Sequence, residues 1–79
     1  MMEKNYNSRT SLKLLDTVAL LKDVPGEKLI KGQVGTIIEM LEEGVYEVEF
    51  ADKQGRTIAS LALAVEELML LHFEAETTV

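Results

Sequence analysis

The chain has 79 residues, no cysteine, and fourteen acidic against eight basic side chains, a net charge of −6. That length holds one domain, and the missing cysteine excludes disulfide staples and thiol chemistry. The negative balance argues against nucleic acid, anionic membranes and acidic proteins as partners, so any partner steered by charge is a basic one.

Residues 1–11 are polar, rich in Asn, Ser, Lys and Thr, with a single aromatic, Tyr6. They read as a disordered lead. Glu3 stands among the first residues and no apolar run follows within them, so a signal peptide is not expected. The apolar runs elsewhere are too short to cross a bilayer, and a cytoplasmic location with no membrane partner is the expectation. Leu12-Lys13-Leu14-Leu15 is an apolar approach, either a turn of helix or the start of a strand. Thr17 to Lys22 reads as the first strand, with Val18 and Leu20 on one face and Ala19 and Leu21 on the other. Residues 23–33 form a long loop. In it Pro25-Gly26 suits the centre of a type II turn, because proline presets φ and glycine takes a positive φ, and Leu29 and Ile30 are expected to fold back onto the domain.

Gly32 and Gly35 stand three apart at the mouth of a β-branched run, Lys31-Gly32-Gln33-Val34-Gly35-Thr36-Ile37-Ile38. A phosphate-cradling loop would want more glycine and a helix start or a placed lysine. Here a strand follows, Val34 to Leu41, so the glycines serve backbone geometry. Glu42-Glu43-Gly44 is a hairpin turn with glycine at the left-handed position. Val45 to Ala51 is the clearest period-2 segment: Tyr46, Val48 and Phe50 point inward, Glu47 and Glu49 outward. Asp52-Lys53-Gln54-Gly55 turns the chain again. Arg56 to Leu63 is the fourth strand, its core face Ala59, Leu61 and Leu63. Ala64 to Glu67 fits one 3-10 turn, and Leu68 to Leu71 is the fifth strand. The domain spans 12–72, and 73–79 form a flexible acidic tail. The pattern predicts an all-β fold, a small SH3-like five-stranded antiparallel barrel with a 3-10 turn before the last strand. Leu61 to Leu71 is also rich in helix formers, so a C-terminal helix is the rival reading.

Leu15-Asp16-Thr17-Val18-Ala19-Leu20-Leu21-Lys22-Asp23-Val24-Pro25, Lys31 to Glu39, Tyr46-Glu47-Val48-Glu49-Phe50, Gly55-Arg56-Thr57 and the segment from Leu61 to Leu68 together resemble the DUF4926 family of small bacterial domains. The resemblance covers roughly residues 14–71 and implies mainly a fold, since that family brings no assigned catalytic residues. It also suggests pairing with a protein encoded nearby, in an antitoxin- or immunity-like arrangement. More remotely, the two glycines and the hydrophobes after them resemble the KOW motif of ribosomal and transcription-elongation barrels, and the β-subunit barrel of nitrile hydratases.

Catalytic, cofactor and metal residues are not expected. His72, the single histidine, stands beside Phe73 and Glu74 after the last strand and reads as a surface residue. Arg56 at a strand start is expected to pair with Asp52 or Glu47. Glu42, Glu43, Glu47 and Glu49 sit around one hairpin with Asp52 nearby; alternate positions on a strand make a solvated face rather than converging metal ligands. The aliphatic surplus is more informative. Adjacent pairs such as Ile37-Ile38 and Leu70-Leu71 put bulk on both faces of their strands, and contiguous exposed apolar surface marks interaction sites. The candidate interaction surface is Ile37, Ile38, Met40, Met69 and Leu71, ringed by Glu47 and Glu49, and the turn set is Pro25, Gly26, Gly32, Gly35, Gly44 and Gly55. The expected function is a non-enzymatic protein-interaction module that binds itself or a basic protein. The alternatives are an accessory subunit of a larger enzyme, as in nitrile hydratases, and KOW-type nucleic-acid binding, which the acidic charge disfavours.

Overall fold

The computed structural model describes residues 12–72; the lead at 1–11 and the tail at 73–79 lie outside the described residues. Five strands form: β1 (Thr17–Leu20), β2 (Val34–Glu42), β3 (Val45–Ala51), β4 (Thr57–Ala64) and β5 (Leu68–Leu70). A first 3-10 turn spans Pro25–Glu27 and a second spans Val65–Glu67. The fold is all-β, as expected. The rival helix over Leu61–Leu71 does not form. Leu63 and Leu61 lie opposite Tyr46 and Val48 of β3, and Leu68 lies opposite Leu20 of β1. These cross-strand partners outweigh the helix propensity of the segment.

All pairings are antiparallel, and the strand order is β4-β3-β2-β1-β5. β2, β3 and β4 make a meander from sequence neighbours, and β5 returns to the far side of β1. β4 and β5 are the two ends of that order, and no ladder joins them among the described residues. The sheet is open, where a closed barrel was expected. At the end of the β3–β4 ladder, Val65 N–H donates to the Gly44 carbonyl at 2.8 Å, carrying that pairing one step further and tying the second 3-10 turn to the β2–β3 turn.

The inward positions of the meander, Ile37, Tyr46, Val48, Phe50 and Leu63, pack with Val18, Leu20, Leu68 and Val65. Leu12 and Leu29 close this core from the two loops, as expected for Leu29; Ile30, expected to fold back with it, is 63% exposed, since the residue after the inward Leu29 points the other way. The approach at 12–15 is neither helix nor strand but a tight turn. Asp16 Oδ2 accepts from Lys13 N–H at 2.8 Å, and Leu15 adopts a left-handed backbone with φ of 72°. Three consecutive residues of β1, Val18, Ala19 and Leu20, are buried, and Leu21 beyond the strand end is exposed. Inside-outside alternation therefore does not describe β1.

Two glycines behave otherwise than expected. Pro25-Gly26 is not a type II turn: Lys28, not Gly26, takes the left-handed conformation, with φ of 60°. The cause is the Val24–Leu29 bridge, which makes Pro25–Glu27 a 3-10 turn started by proline. Gly35 is not in a turn at all. It lies inside β2 opposite Phe50, where a side-chain carbon would sit 2.7 Å from Phe50 Cε1. Gly32, Gly44 and Gly55 do hold the left-handed turn positions.

Candidate functional site

Paired residues in neighbouring strands point to the same face, so the register defines the solvent face row by row. Met69 pairs with Ala19, and Ala19 pairs with Val34. This row is apolar across three strands, and its flanks are open to solvent, Met69 and Val34 each being 49% exposed. Ala19 between them is buried. The next row along the same face is Thr17, Thr36, Glu49 and Ser60, and Leu71 N–H donates to the Thr17 carbonyl at its end. The row after that holds Glu39, Glu47 and Ala62. Successive rows on one face are separated by roughly 7 Å. One face thus grades from apolar, through hydroxyl, to acidic.

The acidic side chains are held in place by hydroxyls. Ser60 Oγ donates to Glu47 Oε2 at 2.7 Å, and Thr57 Oγ1 donates to Glu49 Oε2. Glu39 stands directly opposite Glu47, a like-charge pair. Arg56 pairs with Asp52, as expected: its Nε lies 2.9 Å from Asp52 Oδ2. Asp52 also accepts from the backbone N–H groups of Arg56 and Gln54 at 2.9 Å each. These bonds, led by that from the Arg56 backbone, hold the Asp52 carboxyl below its ordinary pKa. The Lys22 ammonium does the same for Glu67, whose carboxylate also accepts from the Ala64 backbone at 2.8 Å.

Of the candidate surface residues, Ile38, Met40 and Met69 are exposed, and Leu71, Glu47 and Glu49 are partly so. Ile37 is not on the surface: it is 0% exposed and lies opposite Val48 in the core. The β2–β3 register shifts between Ile37 and Glu39 and again between Met40 and Glu42. The extra residues are Ile38 and Leu41, and both are exposed. Bulges of this kind bend and twist a strand, which carries the distal half of β2 off the core. The proposed patch is also not continuous, since β1 lies between β2 and β5. Met69 belongs instead to the row with Ala19 and Val34. Sequence reasoning missed Val34 and Ala19 here; the signal was present only in the pairing register.

A cleft of about 350 Å³ opens beside β5, lined by Leu12, Leu21, Val65, Leu68, Met69 and Leu70, with Glu66 and His72 at its wall. Met69 lines the cleft and also flanks the apolar row, so the two surfaces adjoin. Among the described residues no group of three or more His, Cys, Asp or Glu side chains is gathered as metal ligands would be. No helix among them is long and apolar enough to cross a membrane.

A family model described as a domain of unknown function, DUF4926, matches residues 14–70, and the chain belongs to that family. No match was found among curated proteins or among solved structures.

Proposed function

We propose that this DUF4926 domain is a protein-interaction module without catalytic activity. Its docking surface is the apolar row Met69–Ala19–Val34 with the adjoining cleft. The observation that carries this reading is the register of β5, β1 and β2, which sets the exposed Met69 and Val34 on either side of Ala19 in one apolar row. Hydrophobic centres with polar rims are the anatomy of protein interfaces, and methionine adapts to a partner's shape. The acids Glu39, Glu47 and Glu49 on the same face give the rim a negative sign, which suits a partner with a basic flank. The order strand, long loop, three-stranded meander, 3-10 turn and a last strand returned to the first supports an SH3-like reading of the fold.

The concrete form of the proposal is a partner encoded beside this chain, in an antitoxin- or immunity-like pair. Co-expression of the tagged chain with the adjacent gene product tests it. The expected result is co-purification at fixed stoichiometry. The double variant Val34→Asp/Met69→Asp, its fold checked by circular dichroism, weakens binding by about tenfold or more, as loss of an apolar anchor costs over ~1 kcal/mol. A wild-type chain that does not bind the neighbouring product, or a double variant that binds it equally well, overturns the assignment.

A further inference from the structure

We infer that the free edge of β4 is a pairing surface for a second copy of this chain, joined antiparallel about a twofold axis through Leu61. β4 ends the strand order, so one side of its backbone faces no strand among the described residues. The other end of the order is β5, which has only three residues. Short edges, charges, prolines and bulges are the usual means of blunting an edge. β4 has eight residues, Thr-Ile-Ala-Ser-Leu-Ala-Leu-Ala, with no charge and no proline. Its single irregularity lies at the start, where the register with β3 shifts between Phe50 and Ala51 and leaves Ile58 as the extra residue. From Ala59 to Ala64 the strand is regular.

Charge selects the occupant and its direction. The turn before β4 carries Lys53 and Arg56 against Asp52, a surplus of positive charge. The 3-10 turn after β4 carries Glu66 and Glu67 and no basic residue of its own, and Glu67 pairs with Lys22. Antiparallel pairing of two identical strands sets each positive end beside the other copy's negative end; parallel pairing would set like beside like. The face of each residue fixes the register further. Ala59, Leu61 and Leu63 point inward and Ser60 and Ala62 outward, as their pairing with β3 shows. Only registers that match inward with inward preserve both faces. Pairing Leu61 with its own copy does so, and places Ala59 opposite Leu63 and Ser60 opposite Ala62.

The test uses the full chain and engineered thiols, unambiguous because the native sequence has no cysteine. Ser60 and Ala62 both lie on the exposed edge, so Ser60→Cys and Ala62→Cys are made separately and mixed under mild oxidation. Directly opposed residues lie about 4.5–5.5 Å apart at Cα, within disulfide range. The expected result is light scattering at twice the chain mass, with a mixed 60–62 disulfide in non-reducing gels. Residue 60 and its own copy would be diagonal neighbours about 7–8 Å apart, so neither variant alone crosslinks efficiently. Wild-type mass of a single chain at every attainable concentration overturns the proposal. So does a dimer whose mixed variants stay uncrosslinked, or one in which Ser60→Cys crosslinks to itself. Val34→Asp/Met69→Asp leaves this dimer intact, which separates it from the surface on β5, β1 and β2.

Discussion

The backbone of Gly35 lies against the ring of Phe50 so closely that a Cβ there would stand 2.7 Å from Cε1 and 2.8 Å from Cδ1. Phe50 is wholly buried, and Val48 Cγ1 closes the same space at 2.8 Å. Neither side chain has room to withdraw. Gly35→Ala is therefore expected to destabilise by about 1–3 kcal/mol, the range for overpacking a filled core. Gly26→Ala is the control, because nothing lies within 4 Å of its added carbon and its φ is not left-handed. Urea melts should show a lower midpoint for the first variant, and an unchanged or slightly higher one for the second.

Acid should erode stability through two carboxylates. Asp52 and Glu67 both have folded pKa values below their unfolded ones, Asp52 chiefly through the Arg56 backbone N–H and Glu67 chiefly through Lys22. A depressed folded pKa means stability that is fully present above the unfolded pKa and lost as pH falls through the folded one. The decline thus begins near the ordinary carboxylate range, about pH 4, and continues below it. Asp52→Asn and Glu67→Gln are each expected to flatten the fall in urea midpoint between neutral and acidic buffer. A fall as steep in both variants as in the wild type would refute the assignment.

Glu39 faces Glu47 across the β2–β3 ladder. Opposed like charges destabilise an antiparallel pair, and opposite charges contribute roughly 0.2–1 kcal/mol. Glu39→Lys should accordingly raise the thermal midpoint at low salt. The gain should shrink as salt is added, because both side chains reach solvent.

Ile37 and Ile38 are chemically identical neighbours with opposite surroundings, 0% and 42% exposed. Ile37→Ala should cost about 2–5 kcal/mol, and Ile38→Ala should stay within about 0.5 kcal/mol. Equal losses on chemical denaturation would show that the bulge does not place Ile38 outside the core.

That pair also shows where sequence reading stops. β3 was legible because its apolar residues alternate with glutamates, and alternation is what a half-buried strand requires. Gly44 and Gly55 were legible because the turns after β2 and β3 need left-handed residues. In β2 the alternation fails at Ile37-Ile38 and again at Met40-Leu41, and the side that each residue takes depends on bulges set by the partner strand. Ala19, which is buried, likewise pairs with Met69 and Val34, one fifty residues away in sequence and the other fifteen. The left-handed site fell on Lys28 rather than Gly26 because the Val24–Leu29 bridge sets the loop, and no single residue announces that bridge. The apolar row is legible only once the register is known, since its members come from three separate strands.

The return of β5 to β1 has a consequence for the order in which the chain acquires its structure. The meander joins neighbours, and its hairpins close over short loops, but Val18 meets Leu70 only across nearly the whole domain. Long closures are entropically dearer and slower than local ones. On the ribosome β1 emerges first and receives its second flank last, when Leu70 has cleared the exit tunnel. Until then Met69 is missing from beside Ala19, and the apolar row is still incomplete. A partner of the kind proposed for this row would therefore recognise a finished molecule and pass over the nascent one.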